Sequence, residues 1–444
     1  MYKILLTFLF LLSGCLLYPG KACAAPRLQD TGEKTVIVID PGHGGENRGT
    51  IEYDHDEKLM TMTTAMAMYE ELLLYDDVEV YLTHTEDVDM SLKERAEFAE
   101  SVEADFLFSI HYNASENHEL FGSEIWVSSL APFNGYGYQF GYEFLTDMRE
   151  KGLLVRGVKT RLGSGGEDYY GIIREAVNLE IPAVIIEHCH VDHERDIVYC
   201  DSEEKLKEFG RADATAVAKY FQLKSSALDV DYSDYQLAEA DSGSVMDVTM
   251  ADSTEPDICL IDFREADYEN GSLSLTVSAA DYDSNILYYN YSIDGGRTFT
   301  PWEAWPESDT LTGSYPDSFT LDLSIPPGVT PEVMVRAYNT YGLYKESNPY
   351  VSPQAYPKEE EELTVEGQLP AGEPKAEVVP VMGAGEQEET GQKIDMYQFV
   401  MICLAAAFVM LVVLFGFQYI SYRNRKKRRL QRRNEEGIHR NQQR

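Results

Sequence analysis

Cysteine is scarce in this chain of 444 residues, which contains only six. Two of them lie within the first 25 residues, and a third lies in an apolar segment near the C-terminus. The remaining three are Cys189, Cys200 and Cys259. So few cysteines exclude a small fold built on disulfides. A Cys189–Cys200 bridge is compatible with the spacing, which does not decide whether it forms.

Basic residues are also few, since 37 Lys and Arg stand against 76 Asp and Glu and the formal net charge is −39. Basic residues are concentrated in residues 421–444, so the rest of the chain is more acidic still. A surface of this sign argues against nucleic acid as a partner. The acidity instead indicates a protein that stays in solution outside the cell.

Long apolar runs occur near the two ends of the chain. Residues 1–24 have the form of a signal peptide, because Lys3 precedes an apolar stretch and Ala22-Cys-Ala24 supplies small residues before a cleavage site. Leu12-Ser-Gly-Cys15 also fits a lipobox. Lipidation of Cys15 is therefore the alternative to ordinary cleavage.

Residues 396–420 predict a transmembrane helix. The uncharged run Phe399–Phe417 has 19 residues, enough for a helix to cross a hydrocarbon core about 30 Å thick. Basic residues follow at once, and the positive-inside rule places the tail, residues 421–444, in the cytoplasm. With the signal peptide, this predicts a single-pass protein of the cell membrane whose N-terminal bulk is extracellular.

Between the two ends, the hydrophobic pattern changes along the chain. Residues 30–223 alternate buried strands with helices, which predicts an α/β fold with a twisted, mostly parallel sheet flanked by helices. Residues 224–256 lack periodicity and read as a linker. Short alternating strands over residues 257–353 predict a β-sandwich of the immunoglobulin or fibronectin III kind. The Glu-, Pro- and Gly-rich residues 354–395 predict a disordered acidic stalk.

Three predicted strands of the α/β region end in polar groups. They are Thr35 to Asp40-Pro-Gly-His43, Asp105 to His111-Tyr-Asn113 and Ile181 to Glu187-His188. Ligands of parallel sheets bind beyond the carboxyl ends of the strands, so we expect His43, His111 and Glu187 to converge there. Glu57 opens the helix after the first strand and can face the same edge. Two histidines and a carboxylate, with a spare carboxylate nearby, are typical of a catalytic zinc site.

Each of these residues also has a simpler interpretation. A single histidine at a strand end is more often a hydrogen-bonded turn residue than a metal ligand. Glu57 would also stabilise a helix N-terminus by its charge alone. Glu187 is harder to explain in this way, because a carboxylate without a partner behind four apolar residues is costly. The combination of the four residues favours the metal site.

The residues around these four positions resemble the zinc-dependent N-acetylmuramoyl-L-alanine amidases of the amidase family 3 type. The resemblance covers about residues 34–223. Its motifs are Val38–Gly45 (VIDPGHGG), Glu57-Lys58, Ser109–Asn113 (SIHYN) and Pro182–Glu187 (PAVIIE), supported by Leu82–Glu86 (LTHTE) and Ser91–Arg95 (SLKER). It implies that His43, Glu57 and His111 hold Zn²⁺ and that Glu187 is the catalytic general acid/base. The implied substrate is the amide joining the lactyl group of N-acetylmuramic acid to L-alanine in peptidoglycan, and the implied fold is a twisted, mostly parallel sheet with flanking helices.

The chain departs from this family where substrate contacts are expected. His188-Cys-His-Val-Asp-His193 stands where Gly-Phe and Ser-Asn are usual, Thr61 where asparagine is common, and His84 where arginine is common. The three histidines of the first segment could bind substrate or supply a metal ligand, but an exposed loop is the favoured interpretation.

Three residues are the candidates for substrate binding, namely Asn113, Arg174 and His188. Arg174 lies upstream of the strand of Glu187, where it could orient that carboxylate or a carboxylate of the substrate. A surface salt bridge is an equal alternative for this arginine.

The favoured function is hydrolysis of bacterial peptidoglycan by zinc-activated water, with the catalytic domain extracellular and tethered to the membrane. One alternative is a catalytically silent wall-binding or regulatory module with the same fold. Another is a zinc peptidase acting on the stem peptide, although the chain has no helical His-Glu-x-x-His motif.

The predicted β-sandwich contains no recognisable catalytic motif. It would serve as a binding module or as a spacer. Its aromatic residues could form a sugar-binding face, but packing in the core and turns is favoured. These residues are Tyr288, Tyr289, Tyr291, Trp302 and Trp305.

Overall fold

The computed structural model describes residues 34–53, 55–237 and 248–356. The predicted signal peptide, transmembrane segment and basic tail lie outside these residues, as does the predicted stalk beyond its first three residues.

The predicted membrane location requires a correction. Over the described ranges, no helix is both long and apolar enough to cross a bilayer. On this finding we withdraw the assignment as a single-pass protein of the cell membrane with an extracellular catalytic domain and a cytoplasmic tail. That assignment rested on residues 396–444, for which the structure describes no element.

The N-terminal part of the described chain alternates strands and helices. Its strands are β1 (Thr35–Pro41), β2 (Ile51–Glu52), β3 (His55–Asp56), β4 (Val78–Leu82), β5 (Phe106–Asn113), β6 (Ser123–Val127), β7 (Val155–Thr160), β8 (Ala183–His190), β9 (Lys224–Ser225) and β10 (Val230–Asp231). Its helices are α1 (Glu57–Leu72), α2 (Leu92–Ser101), α3 (Phe133–Glu150), α4 (Gly171–Asn178), α5 (Glu194–Ile197) and α6 (Glu203–Tyr220).

Six strands form the central sheet in the order β4-β1-β5-β8-β6-β7. All neighbouring strands run parallel except β6 and β8, which are antiparallel. The sheet is therefore mixed but mostly parallel, and the predicted α/β class is confirmed. The adjacent strands β1, β5 and β8 are the three for which polar ends were predicted.

The central strands are apolar because both faces of the sheet are covered. Successive side chains of β1 alternate between two cores, with Ile37 and Ile39 on one face and Val38 on the other. Helices α1, α3 and α6 cover the first face, and α2 and α4 cover the second. Helix α2 begins at the predicted capping box, in which Ser91 and Glu94 each cap the other's backbone N–H.

The C-terminal part of the described chain is rich in β-structure. Its strands are β11 (Ile258–Asp267), β12 (Ser272–Ala280), β13 (Ile286–Ser292), β14 (Glu303–Ala304), β15 (Ser318–Ser324), β16 (Glu332–Asn339), β17 (Tyr344–Glu346) and β18 (Tyr350–Val351). One antiparallel sheet has the order β11-β12-β15, and the other is built on β13 and β16. Side chains from both sheets share one core, which also contains the buried Trp305. We refer to residues 258–351 as the β-rich region.

Described residues of the predicted linker pack on the α/β part. The hydroxyl of Ser225 donates to the carbonyl of Leu74 (2.5 Å), and the amide of Thr249 donates to the carbonyl of Ser129 (2.7 Å). The hydroxyl of Tyr235 donates to the carboxylate of Glu143 (2.7 Å). These segments are therefore anchored where a free linker was expected.

Candidate active site

The turn that follows β1 is held by a buried ion pair. Asp40 is 1% exposed, and its carboxylate accepts hydrogen bonds from Thr83 (2.7 Å), Ser109 (2.8 Å) and Nη1 of Arg95 (2.7 Å). The same guanidinium donates to the carbonyl oxygens of Pro41 and His43, both at 2.6 Å. Arg95 thus connects the end of β1 to the residue that presents the first imidazole.

Sequence reasoning named neither Asp40 nor Arg95 as a site residue. A signal existed, because a carboxylate directly after four apolar strand residues requires a buried partner. The turn also stores strain, since His43 has φ of 68°, a conformation uncommon for residues other than glycine. Arg95 stabilises that conformation because its Nη2 donates a hydrogen bond to the carbonyl of His43.

Three of the predicted residues come together at the carboxyl ends of the strands. Oε1 of Glu57 lies 3.1 Å from Nδ1 of His111 and 2.9 Å from Nε2 of His43. The candidate ligand atoms of these three residues all lie within 4.8 Å of one another. Glu57 is the first residue of α1, and its carboxylate also accepts the amides of Thr50 (2.8 Å) and Tyr112 (3.1 Å). The carboxylate is therefore fixed in position by the backbone of two different segments.

The donor set fits a zinc ion. Two imidazole nitrogens and one carboxylate are the ligands of many catalytic zinc sites, which keep a further position open. Nε2 of His43 is buried and has no well-aligned hydrogen-bond partner in the described part of the chain, although it lies beside Glu57. An imidazole nitrogen without a partner is costly unless it binds something. A metal ion would supply that partner.

Glycines give the cluster its space. A Cβ atom on Gly49 would lie 2.5 Å from Oε2 of Glu57 and 2.7 Å from Nε2 of His43. A Cβ atom on Gly42 would lie 2.4 Å from the ring of His111. The backbone thus approaches the three side chains more closely than any larger residue permits.

The charges of the cluster support one another. Burial raises the pKa of Glu57, but the adjacent imidazoles of His111 and His43 outweigh it and hold that pKa well below its usual range. Burial lowers the pKa of His43, but the adjacent Glu57 carboxylate outweighs it and raises that pKa. Glu57 is therefore an anion, as a metal ligand must be.

Glu187 lies on β8 next to the strand of His111. The two residues are partners in the parallel register of β5 and β8. Oε2 of Glu187 is buried and has no hydrogen-bond partner among the described residues. Burial, and then the negative charges of Glu57 and Glu124, raise the pKa of Glu187 well above its usual value. A carboxyl group in this state holds its proton more readily than an exposed one, as a general acid must.

On its other side, Glu187 is the antiparallel partner of Glu124 on β6. Glu124 is buried, and its Oε2 accepts hydrogen bonds from Nε of Arg156 (2.7 Å) and Nζ of Lys159 (2.5 Å). Burial raises the pKa of Glu124, but these two cations outweigh it and lower that pKa. Burial and the charge of Arg156 lower the pKa of Lys159 to about 8. Sequence reasoning missed this cluster, because Glu124 lies on β6 and its two cations lie on β7, 32 and 35 residues further along the chain.

Two of the three candidate substrate-binding residues hold neighbouring protein groups. Nδ2 of Asn113 donates to Oε1 of Glu124 (2.7 Å). The guanidinium of Arg174 donates to the carbonyl oxygens of Asp168 (3.0 Å) and Tyr169 (3.1 Å). Arg174 thus holds the turn before α4, and the structure shows it neither at Glu187 nor in a strong surface salt bridge, since Glu175 lies 3.9 Å away.

The third candidate, His188, lies inside the core. It is 0% exposed, its Nε2 lies 3.0 Å from the carboxylate of Asp213 on α6, and its ring packs on Tyr112 and Phe209. The prediction of a substrate contact for His188 is therefore wrong for this structure. The physical reason is that β8 continues through His190, and all of its residues after Glu187 are buried.

The exposed loop favoured for the same segment is also wrong. His190 is 0% exposed, and its Nδ1 lies 3.1 Å from the carbonyl of Gly122. His193 caps α5 by accepting the amide of Arg195 (3.2 Å). Cys189 and Cys200 are both buried and free, so the possible bridge does not form.

Comparison with known proteins gives a consistent result. Residues 37–219 match the N-acetylmuramoyl-L-alanine amidase family. The chain is 32% identical over 194 residues to the N-acetylmuramoyl-L-alanine amidase CwlM of Bacillus licheniformis, which covers 43% of this chain and 70% of CwlM. It is 28% identical over 192 residues to the sporulation-specific N-acetylmuramoyl-L-alanine amidase of Bacillus subtilis, with the same two coverages.

Solved structures of similar proteins include Cwp6 from Clostridium difficile, with 29% identity and a TM-score of 0.40 over 43% of this chain and 30% of that one. They also include the catalytic domain of CwlV, the N-acetylmuramoyl-L-alanine amidase from Bacillus (Paenibacillus) polymyxa, with 25% identity and a TM-score of 0.38 over 43% of this chain and 99% of that one.

The family match spans the strands β1, β5 and β8 that carry the clustered side chains, and it ends within α6. The chain therefore belongs to the N-acetylmuramoyl-L-alanine amidase family, the peptidoglycan hydrolases that cut the amide between N-acetylmuramic acid and L-alanine.

Proposed function

We propose that this amidase is zinc-dependent, with His43, Glu57 and His111 as the metal ligands and Glu187 as the general acid/base. The observation that carries the proposal is a compact donor set of two imidazole nitrogens and one carboxylate oxygen, whose candidate ligand atoms all lie within 4.8 Å of one another. On the strand next to that of His111, Glu187 has a buried Oε2 without a hydrogen-bond partner among the described residues.

The roles of the residues follow from this arrangement. A bound zinc ion would polarise the amide carbonyl and lower the pKa of water at the site. Glu187 would take the proton of the water that attacks the carbonyl carbon and deliver it to the leaving nitrogen of L-alanine. Glu57, fixed by the amides of Thr50 and Tyr112, would keep its position during the reaction.

The two roles are separated by comparing the protein with its Glu187→Gln variant. Zinc content would be measured by elemental analysis, and cleavage of a purified muropeptide would be followed by mass spectrometry. We expect both proteins to bind one zinc ion and only the unaltered protein to release the free stem peptide. Glu100→Gln, at an exposed position of α2, is the matched control and should retain full activity.

A chelator tests the metal itself. Activity should disappear on chelation and return with added zinc. Cleavage that persists after complete removal of the metal would overturn the zinc proposal, and an active Glu187→Gln variant would overturn the role of Glu187. A product cut within the stem peptide would point to peptidase activity instead.

A further inference from the structure

A buried tyrosine of the β-rich region contacts the central sheet. Tyr288 on β13 is 0% exposed, and its hydroxyl accepts a hydrogen bond from Nη1 of Arg156 (2.6 Å). The same hydroxyl donates to the carbonyl of Phe121, two residues before β6 begins. Arg156 lies on β7. A single hydroxyl group of the β-rich region therefore contacts both β7 and the segment that leads into β6.

From Arg156 the contacts continue toward the candidate active site. Nε of Arg156 donates to Oε2 of Glu124, and the other oxygen of Glu124 accepts Nδ2 of Asn113, each at 2.7 Å. Asn113 follows His111 by two residues on β5, and Glu124 is the register partner of Glu187. The chain of contacts ends on the two strands that carry a proposed zinc ligand and the proposed general acid/base.

A second tyrosine of the β-rich region covers the same edge of the sheet. Nζ of Lys159 lies 5.6 Å from the ring centroid of Trp126 and 5.5 Å from that of Tyr341. The hydroxyl of Tyr341 accepts the amide of Thr160 (3.3 Å). Cations over aromatic faces are stabilised where water is excluded. The β-rich region thus encloses both cations that neutralise Glu124.

The buried cluster places two cations against one carboxylate, so its geometry depends on the groups around it. Removing one partner from such a cluster leaves a buried charge uncompensated, which costs more free energy than the intact ion pair contributes. The β-rich region contributes the hydroxyl of Tyr288 to this cluster. Its oxygen accepts a hydrogen bond from Nη1 of Arg156.

We propose that Tyr288 is a positioning residue for the amidase reaction, acting through Arg156 and Glu124 on the strand ends that bear Glu187 and Asn113. The catalytic unit then includes the β-rich region, which is more than a spacer or a wall-binding module. The inference rests on the proposed roles of Glu187 and the metal ligands.

The test compares Tyr288→Phe with Tyr356→Phe in the full chain. Tyr356 is 1% exposed, and its hydroxyl donates to the carbonyl of Ser272 (3.0 Å) in the β-rich region, so its variant also loses a tyrosine hydroxyl hydrogen bond, but one remote from Arg156. Zinc content, melting temperature, kcat and KM would be measured on a soluble muropeptide. We expect Tyr288→Phe to lower kcat about tenfold with KM changed less than twofold and zinc retained. Tyr356→Phe should keep the unaltered kcat.

A double-mutant cycle with Arg156→Lys connects the two residues. Lysine keeps the charge but cannot contact Tyr288 and Glu124 through one planar fork. We expect Arg156→Lys to lower kcat at least as much as Tyr288→Phe, and the double variant to lose no more than Arg156→Lys alone.

An unchanged kcat in Tyr288→Phe at full zinc occupancy would overturn the inference. The inference would also be overturned if both variants lost kcat in proportion to the fall in their melting temperatures. Additive losses of kcat in the double-mutant cycle would overturn it too. Failure of the proposed function would appear elsewhere, as activity that survives chelation or Glu187→Gln.

Discussion

At the scale of single residues, the backbone of the candidate zinc site leaves no room beside the ligands. Gly49 has φ of 68°, and a Cβ atom there would overlap Oε2 of Glu57 and the ring of His43. We expect Gly49→Ala to lower zinc affinity at least tenfold, because two ligands must move apart. Isothermal titration of the metal-free protein with zinc would measure this change.

Gly166→Ala is the matched control for that substitution. Gly166 also has a positive φ, of 86°, but no described atom lies within 4 Å of a Cβ placed there. Gly166→Ala therefore introduces the backbone strain of an alanine at positive φ, but no overlap with another atom. An equal loss of zinc affinity in the two variants would show that backbone strain, and not the space beside the ligands, governs binding.

The ion pair of Asp40 and Arg95 yields a second prediction at this scale. Arg95 is 4% exposed, and Arg95→Met would leave the Asp40 carboxylate buried with fewer partners and the carbonyl of His43 without its donor. Breaking a buried pair in this way costs about 3–5 kcal/mol. Urea unfolding should show that loss in the free energy of unfolding, together with weaker zinc binding.

Lys93→Met tests the same helix without the buried contact. Lys93 is exposed and pairs with Glu97 on the surface of α2. Surface pairs contribute little to stability, so no measurable change is expected. A similar loss in both variants would assign the effect of Arg95→Met to the helix itself.

Individual residues also show how far sequence reasoning reaches. The sequence predicts His43, His111 and Glu187 because the ends of buried parallel strands share one edge, a rule that depends only on the local pattern. It adds Glu57 because that residue opens the helix after the first strand. Glu124 and Lys159 were not selected, because their partners come from β7 and from the β-rich region. A contact between segments so distant leaves no periodicity in the sequence.

At the scale of elements, strand β8 explains the histidine segment. Its last residues are buried because the strand continues past Glu187, and the partner of His188 is Asp213 on α6, which lies 25 residues along the chain. No local signal in the sequence pairs these two residues. A histidine after a catalytic strand end therefore resembled a ligand or a loop residue, whereas the fold uses it to join the sheet to a helix.

This structural role predicts a separation of stability from substrate binding. His188→Ala removes a buried ring and leaves the Asp213 carboxylate without its imidazole. We expect a loss of about 3–5 kcal/mol in the free energy of unfolding and a change of less than twofold in KM. Chemical unfolding and steady-state kinetics would measure the two quantities. A large rise in KM at unchanged stability would restore the discarded substrate contact.

At the scale of the whole molecule, the described residues join the α/β part to the β-rich region through many contacts of different kinds. Besides Tyr288 and Tyr341, Arg149 pairs with Asp309 (2.9 Å), and the hydroxyl of Thr310 donates to the carbonyl of Val155 (2.8 Å). Composition and strand pattern predicted where the β-rich region lies along the chain. They could not predict that it packs on the edge strand β7, because tyrosines in an alternating strand look the same in a core and at an interface.

These contacts predict that the two parts unfold together. Leu275 is 0% exposed in the core of the β-rich region. Replacing it with alanine should lower the free energy of unfolding by about 2–5 kcal/mol. If the parts are coupled, Leu275→Ala lowers the temperature at which the proposed zinc site releases its metal, in step with the calorimetric transition. A chromogenic chelator would follow the release of the metal. Leu260→Ala is the control, because Leu260 is 48% exposed on the neighbouring strand and should change neither temperature. Metal release that stays at the unaltered temperature while the β-rich region melts first would show that the two parts unfold independently.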